Sequence, residues 1–382
     1  MRIVIAPDSY GGTLSATEAA TAIAEGWHRV APADETLELP LADGGTGFLD
    51  VLHAVLGGEL LPLQVTGPLE GKPVSAHWLK VGEVAYVEVA QACGLHLVPR
   101  ERRVPAVARA ASSRGVGELI AAAAADPEVT RIVVGLGGSS NTDGGAGALA
   151  VLGAQPLDGA GEPLPDGGAA LARCAALAGP PVLPARVHLV LAADVDNPLL
   201  GQHGAAAVFG PQKGADADAV TELDAALGHY AEALAAAVHR ELDDLVTAPG
   251  GGAAGGLGAA LLACGGEQVS GAGLVRELSG LDTALDTADL VLTGEGSFDW
   301  QSLRGKLITA VASAAAARGV PCLVLAGQVS VGRREAAAAG VEAAYSVSEH
   351  AGGVEASMAD PAGTLAALAE HLAGQWRTPG SA

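Results

Sequence analysis

With 382 residues, 49% of them hydrophobic and 17% charged, the chain carries enough apolar material for two cores rather than one. A formal net charge of −22, with no Lys/Arg-rich run, argues against nucleic acid or an anionic membrane surface as partner and leaves small molecules. The cysteines Cys93, Cys174, Cys264 and Cys322 lie far apart with no CxxC spacing, so buried free thiols are expected rather than a zinc site or a disulfide framework.

The opening "MRIVIAPDSYGG" meets a proline and an aspartate too soon for a secretory signal. Every later apolar run is broken by charges or Pro/Gly short of the roughly 18 residues that suggest a membrane span. The expectation is a cytoplasmic protein. "RIVIAP" predicts a buried strand, and "SATEAATAIAEGWHRV" a helix, with Ser15 and Glu18 as a capping box and apolar positions at Ala19, Ile23, Trp27 and Val30. "LELPLADGG" predicts a second strand and "TGFLDVLHAVLGG" a second helix, ended by Gly57 or Gly58.

Near residue 59 the pattern changes. "LLPLQVTGPLEGKPVSAHWLKVGEVAYVEVA" alternates strands broken by "GPLEGKP" and "VGE", which predicts antiparallel hairpins and the start of a second domain. That domain continues through "GELIAAAAA", "RIVVGLGG", "VHLVLAADVDNP" and "PGGGAAGGLGAALLA". Parallel α/β units return as "ADLVLTGEG", "SLRGKLITAVASAAAARG", "VPCLVLAG" and "AAYSV". The expected division is a discontinuous parallel α/β domain of residues 1–60 and 284–382, with a mixed α/β domain of residues 61–283 inserted in it. The final "TPGSA" reads as a frayed tail.

In parallel α/β sheets ligands gather beyond the carboxyl ends of the strands, and here those positions are unusually acidic. "IAPDS" ends at Asp8 and Ser9, "PLADGG" at Asp43 with Gly44 and Gly45, "VLAADVDNP" at Asp194, Asp196 and Asn197, and "LVLTGEGSFD" at Glu295 and Asp299. "GLGGSSNTDGGAG" adds Gly137, Gly138, Ser139, Ser140, Asn141 and Asp143. Asp, Asn, Ser and Gly also serve as turn and cap residues, but five such sites on strand ends point to function.

Glycine-rich stretches such as "GLGGSS" and "PGGGAAGGLG", with Gly251 and Gly252, let backbone N–H groups approach a phosphate. Carboxylates around an anion call for a divalent cation or for a hydroxyl to be deprotonated, and Mg²⁺ with a nucleoside triphosphate meets both needs. Only four lysines occur, and Lys213 and Lys306 sit beside glycine, where each could neutralise charge on a transferring phosphoryl group. There is no GxxxxGK[ST] P-loop, and no GxGxxG between a strand and a helix.

The ordered set "IAPDSYGGTLSA", "PLADGGTG", "VTGPL", "GLGGSSNTDGGAG", "AADVDNPLLG", "FGPQKGA", "GGGAAGGLGAAL" and "LTGEGSFDWQSLRGK" resembles the bacterial glycerate kinase family of the glyoxylate and glucarate pathways, from Met1 to about residue 350. The resemblance implies ATP-dependent phosphorylation of D-glycerate with Mg²⁺, generally at the 2-hydroxyl to give 2-phosphoglycerate. It also implies two dissimilar α/β domains, one flavodoxin- or Rossmann-like and discontinuous, the other an inserted mixed sheet, with the active site in the cleft between them.

On this reading Asp194 accepts or orients the glycerate hydroxyl proton, and Asp8 and Asp43 hold Mg²⁺ or glycerate. Gly137, Gly138 and Ser139 cradle phosphate, and Glu295, Asp299 and Lys306 complete the site. The family often has a lysine where this chain has Gly11 and a basic residue where it has Ser297, which shifts the neutralising burden to Lys306, Lys213, Arg304, backbone N–H groups and Mg²⁺. Two alternatives stand beside it: a sensor that keeps the fold without catalysis, and a phosphatase using the Asp194-x-Asp196 spacing, against which Pro198 stands where Thr or Val is expected.

Overall fold

The computed structural model describes residues 1–69, 72–300, 302–303 and 307–376. The chain opens with β1 (Arg2–Ile5) and β2 (Glu35–Glu38). It continues through β3 (Glu59–Thr66), β4 (Pro73–Val81), β5 (Val84–Glu88), β6 (Arg131–Gly135), β7 (Pro156–Leu157), β8 (Ala176–Leu177), β9 (His188–Ala192) and β10 (Glu267–Val269). It closes with β11 (Leu290–Thr293), β12 (Ser297–Phe298), β13 (Cys322–Ala326), β14 (Gln328–Val329) and β15 (Ala343–Ser346). Two compact units result: Met1–Asp43, Asp50–Leu56 and Ala272–Ala382 form one, Gly44–Leu49 and Gly57–Gly271 the other.

The first unit is built on a parallel sheet in the order β15-β13-β11-β1-β2. Numbered within the unit, that is the flavodoxin-like order 2-1-3-4-5, whose switch point lies between β1 and β11. Ile3, Ile5, Leu290, Leu292, Leu323 and Leu325 are completely buried, as strands covered on both faces require. Helix Ala16–Val30 carries the predicted capping box: Glu18 N donates to Ser15 Oγ (3.2 Å) and Ser15 N to Glu18 Oε2 (2.8 Å). Its Gly26 lets it lie against Pro361–Trp376, because a Cβ there would fall 2.0 Å from Ala366 O.

The second strand is shorter than its sequence suggested. Leu39 N and Leu41 N still donate to Ile5 O and Pro7 O, so the chain stays extended beside β1. Pro7 and Pro40, which would face one another in the continued register, have no N–H, and the regular ladder stops at Glu38.

The second unit holds a six-stranded mixed sheet, β10-β9-β6-β5-β4-β3. The hairpins read from "GPLEGKP" and "VGE" are the antiparallel pairs β3/β4 and β4/β5, while β5, β6, β9 and β10 run parallel. Leu119, Ile120, Leu227, Tyr230 and Leu257 pack its core. All four cysteines are free; Cys93, Cys174 and Cys322 are buried and Cys264 is half-buried. Among the described residues no helix is long and apolar enough to cross a membrane.

Candidate active site

In the first unit the switch point sets Asp8, just past β1, beside Glu295, just past β11. Asp8 N donates to Gly294 O (2.8 Å), and Asp8 Oδ1 accepts from Ser9 N (2.6 Å). Burial, then the charges of Asp43 and Glu295, push the Asp8 carboxyl up to about 7 against the hydrogen bond from Ser9. Three predicted acids are thus brought together, from the segments that follow β1, β2 and β11. Burial, then the charges of Glu295 and Asp8, drive the Tyr10 hydroxyl above its usual range; it donates to Leu325 O. Asp299 N donates to Ser302 Oγ (3.2 Å). Arg304 and Lys306 lie outside the described residues.

No cluster of three or more His, Cys, Asp or Glu side chains suited to a metal ion occurs among the described residues. Mg²⁺ needs less, one or two carboxylates completed by water and phosphate oxygens, and it suits the donor set around Asp8. Acids that raise one another's proton affinity are the chemistry a divalent cation relieves.

In the second unit the stretch 135–147 turns from β6 into a loop whose glycines are demanded by contact with another glycine-rich segment. Gly137 N donates to Gly44 O (3.0 Å), and a Cβ on Gly137 would fall 2.3 Å from Gly45 Cα. Gly138 has φ +67°, and its Cβ would meet Thr46 Oγ1 at 2.4 Å. Gly44 and Gly45 are buried in this packing. The N–H groups of Leu136, Gly137, Ser140, Gly144 and Gly145 all donate within the fold. Those of Gly138 and Ser139 donate to no protein acceptor among the described residues, and Gly138 is exposed.

Beneath this loop lies a polar network. Asp143, fully buried, accepts from Ser113 N and Oγ (both 2.8 Å), Asn141 Nδ2 (2.8 Å), Gly145 N (3.1 Å) and Gly147 N (3.3 Å). Asn141 also donates to Ala254 O (3.0 Å) and accepts from Cys93 Sγ (3.3 Å). Lys213 is 3% exposed, and its Nζ donates to Ser139 Oγ (3.1 Å) and Asn141 O. Burial pulls its ammonium down to about 8, against the opposing charges of Cys93 and Asp143. Asp143 and Asn141, read in the sequence as ligand contacts, make these hydrogen bonds within the fold, and Lys213 joins the same network through Ser139 and Asn141.

Asp194 is exposed beyond β9 and accepts from Ser270 Oγ (2.7 Å). With Ala193, Asp196, Gln268, Val269 and Ser270 it lines an open depression of ≈ 370 Å³. Asn197 Nδ2 donates to His203 O (2.8 Å), and Asn197 O accepts from Gly252 N (2.8 Å). Gly251 N donates to Ala248 O (3.0 Å), so both Gly251 and Gly252 are buried with their N–H groups used. The "PGGG" tract therefore packs chain on chain and offers no anion these two amides.

Sequence reasoning missed Glu88, which is 1% exposed and accepts from Gly47 N (3.1 Å) and Leu49 N (3.0 Å), fastening the segment after Asp43. It also missed Tyr10, Ser113, Gln268 and Ser270. Glu88 and Ser270 both stand at the carboxyl ends of strands, so the rule that found Asp194 reaches them too. Ser113 carried no such signal, since its partner Asp143 is 30 residues away.

A family model described as the glycerate kinase family matches residues 3–377. The chain is 46% identical over 375 residues to an uncharacterized protein of Mycobacterium bovis, covering 98% of this chain and 91% of that one. It is 41% identical over 352 residues to a protein of Bacillus subtilis named glycerate kinase and to one of Escherichia coli named glycerate 2-kinase, in each case covering 91% of this chain and 90% of the relative. A crystal structure from Salmonella typhimurium LT2, assigned as a glycerate kinase 2, superposes with a TM-score of 0.79 at 38% identity over 98% of both chains. These matches make the protein an α/β kinase. The chain belongs to the glycerate kinase family.

Proposed function

We propose that the protein transfers the γ-phosphoryl group of ATP to the 2-hydroxyl of D-glycerate, giving 2-phosphoglycerate and ADP. The observation that carries this reading is the family match over residues 3–377, with 41% identity to the Escherichia coli protein named glycerate 2-kinase. The geometry supports it in both units. Exposed Gly138 and buried Ser139 carry N–H groups with no protein acceptor among the described residues, a cradle for phosphate oxygens. Asp194, exposed past β9 and fixed by Ser270, is the acceptor for the glycerate hydroxyl proton. Asp8 and Asp43 would hold Mg²⁺, with Glu295 beside them. The bound ion supplies neutralisation of phosphate charge. Lys306 and Arg304 are assigned to the transferring phosphoryl group.

The test is purified protein with Mg²⁺, ATP and D-glycerate, following ADP release and resolving the product by ³¹P NMR, with L-glycerate and no-glycerate controls. 2-Phosphoglycerate formed only with D-glycerate is expected. 3-Phosphoglycerate would move the acceptor hydroxyl, and ADP release independent of glycerate would remove the reading. In the same assay Asp194→Asn is expected to lower kcat at least about 100-fold while keeping the native melting temperature.

A further inference from the structure

We infer that the edge strand β10 exists in part to aim Asp194, with Gln268 and Ser270 as a two-point clamp of positioning residues. The inference rests on the reading of Asp194 as the proton acceptor. The two side chains stand two residues apart and grip different parts of one target. Gln268 Nε2 donates to Ala193 O (3.3 Å) and Val195 O (3.2 Å), the carbonyls on either side of Asp194. Ser270 Oγ donates to Asp194 Oδ1 (2.7 Å). Between them Ala193 N donates to Val269 O (3.1 Å), carrying the β9/β10 pairing one residue past the strand end.

The backbone of residues 193–195 is therefore held by an amide, and the carboxylate by a hydroxyl. A side chain whose reach and rotation are both fixed keeps its oxygens in one place for a hydroxyl that must be met within about 3 Å. An exposed aspartate on an unsupported turn would sample several rotamers. A third element seats the clamp: Gly250 has φ +74°, and a Cβ there would fall 2.1 Å from Gln268 Oε1. The first glycine of "GGG" thus leaves room for the Gln268 amide.

The test is steady-state kinetics of the full-length enzyme with D-glycerate and Mg²⁺·ATP for Ser270→Ala, Ser270→Thr, Gln268→Ala and Gly250→Ala, alone and in the Asp194→Ala background. Ser270→Ala is expected to lower kcat about fivefold with KM for ATP changed less than about twofold, and Ser270→Thr, which keeps the hydroxyl, to recover most of the loss. Gln268→Ala and Gly250→Ala should show the same split, and none of the three should cost anything further once Asp194 is alanine. Native kcat in a folded Ser270→Ala enzyme, with kcat of Asp194→Ala lowered at least about 100-fold, would overturn the clamp and leave the proton acceptor standing. An Asp194→Ala enzyme with native kcat would overturn both. Losses from Ser270→Ala that persist undiminished in the Asp194→Ala background would assign Ser270 to the fold instead.

Discussion

Lys213 shows how much a single residue's surroundings decide. An ammonium group 3% exposed, with hydrogen bonds to two uncharged oxygens, is held in its charged form against burial, which pulls it down to about 8 from the ordinary 10.5. Between those two values the unfolded chain binds the proton and the native one does not, so stability rises with pH across that window. The rise is on the order of 3 kcal/mol for a group this deeply buried. Chemical denaturation from pH 7.5 to 10.5 should show it in the native protein and lose it in Lys213→Met; parallel slopes would mean that the ammonium stays protonated. Nothing in "FGPQKGA" could announce this, because the oxygens Lys213 serves lie on Ser139 and Asn141, 74 and 72 residues earlier. Asp8 runs the other way. Its carboxyl is raised to about 7 by burial and by Asp43 and Glu295, so ionising it costs stability as pH climbs from about 4 through 7. Mg²⁺ without ATP should raise the melting temperature at pH 8 more than at pH 5.5, and Asp43→Asn should shrink that difference. Equal shifts at both pH values would take the metal away from this trio.

At the scale of elements, glycine carried two meanings that the sequence does not separate. In "GLGGSSNTDGGAG" the glycines that follow the apolar run serve chain-on-chain packing beside the proposed phosphate contact. Gly137 touches Gly45 and Gly138 touches Thr46, so "PLADGG" and "GLGG" are spaced to lie on one another. Gly137→Ala would force a Cβ to within 2.3 Å of backbone and should cost about 3 kcal/mol in chemical denaturation. Gly11→Ala, at φ +56° but with nothing within 4 Å, should cost about 1 kcal/mol. Equal costs would mean that the two glycine segments separate readily. The helix Ala16–Val30, its capping box and the antiparallel hairpins were legible because they rest on local spacing. The end of β2 was not, because it depends on Pro7 facing Pro40 across two strands.

At the scale of the whole molecule the same limit appears as strand order. Alternating apolar strands and Ala-rich helices announce a parallel sheet, and the return of that pattern near residue 288 announces that the first unit is discontinuous. The order β15-β13-β11-β1-β2 follows from crossover connections that leave no mark on any one segment, yet it is this order that sets Asp8 beside Glu295. Net charge, by contrast, is fully legible and has a kinetic consequence. The chain carries 43 acidic and 21 basic residues, and both proposed substrates are anions. At about 10 mM salt the screening length is about 30 Å and the whole protein repels them; near 0.15 M it falls to about 8 Å and only groups around the site are felt. Raising KCl at fixed Mg²⁺ and ATP should therefore raise kcat/KM for D-glycerate about twofold with little change in kcat. A fall would locate enough positive potential at the site to outweigh the molecule's charge. Lys306 and Arg304 would then be its proposed source, since Lys213 is buried.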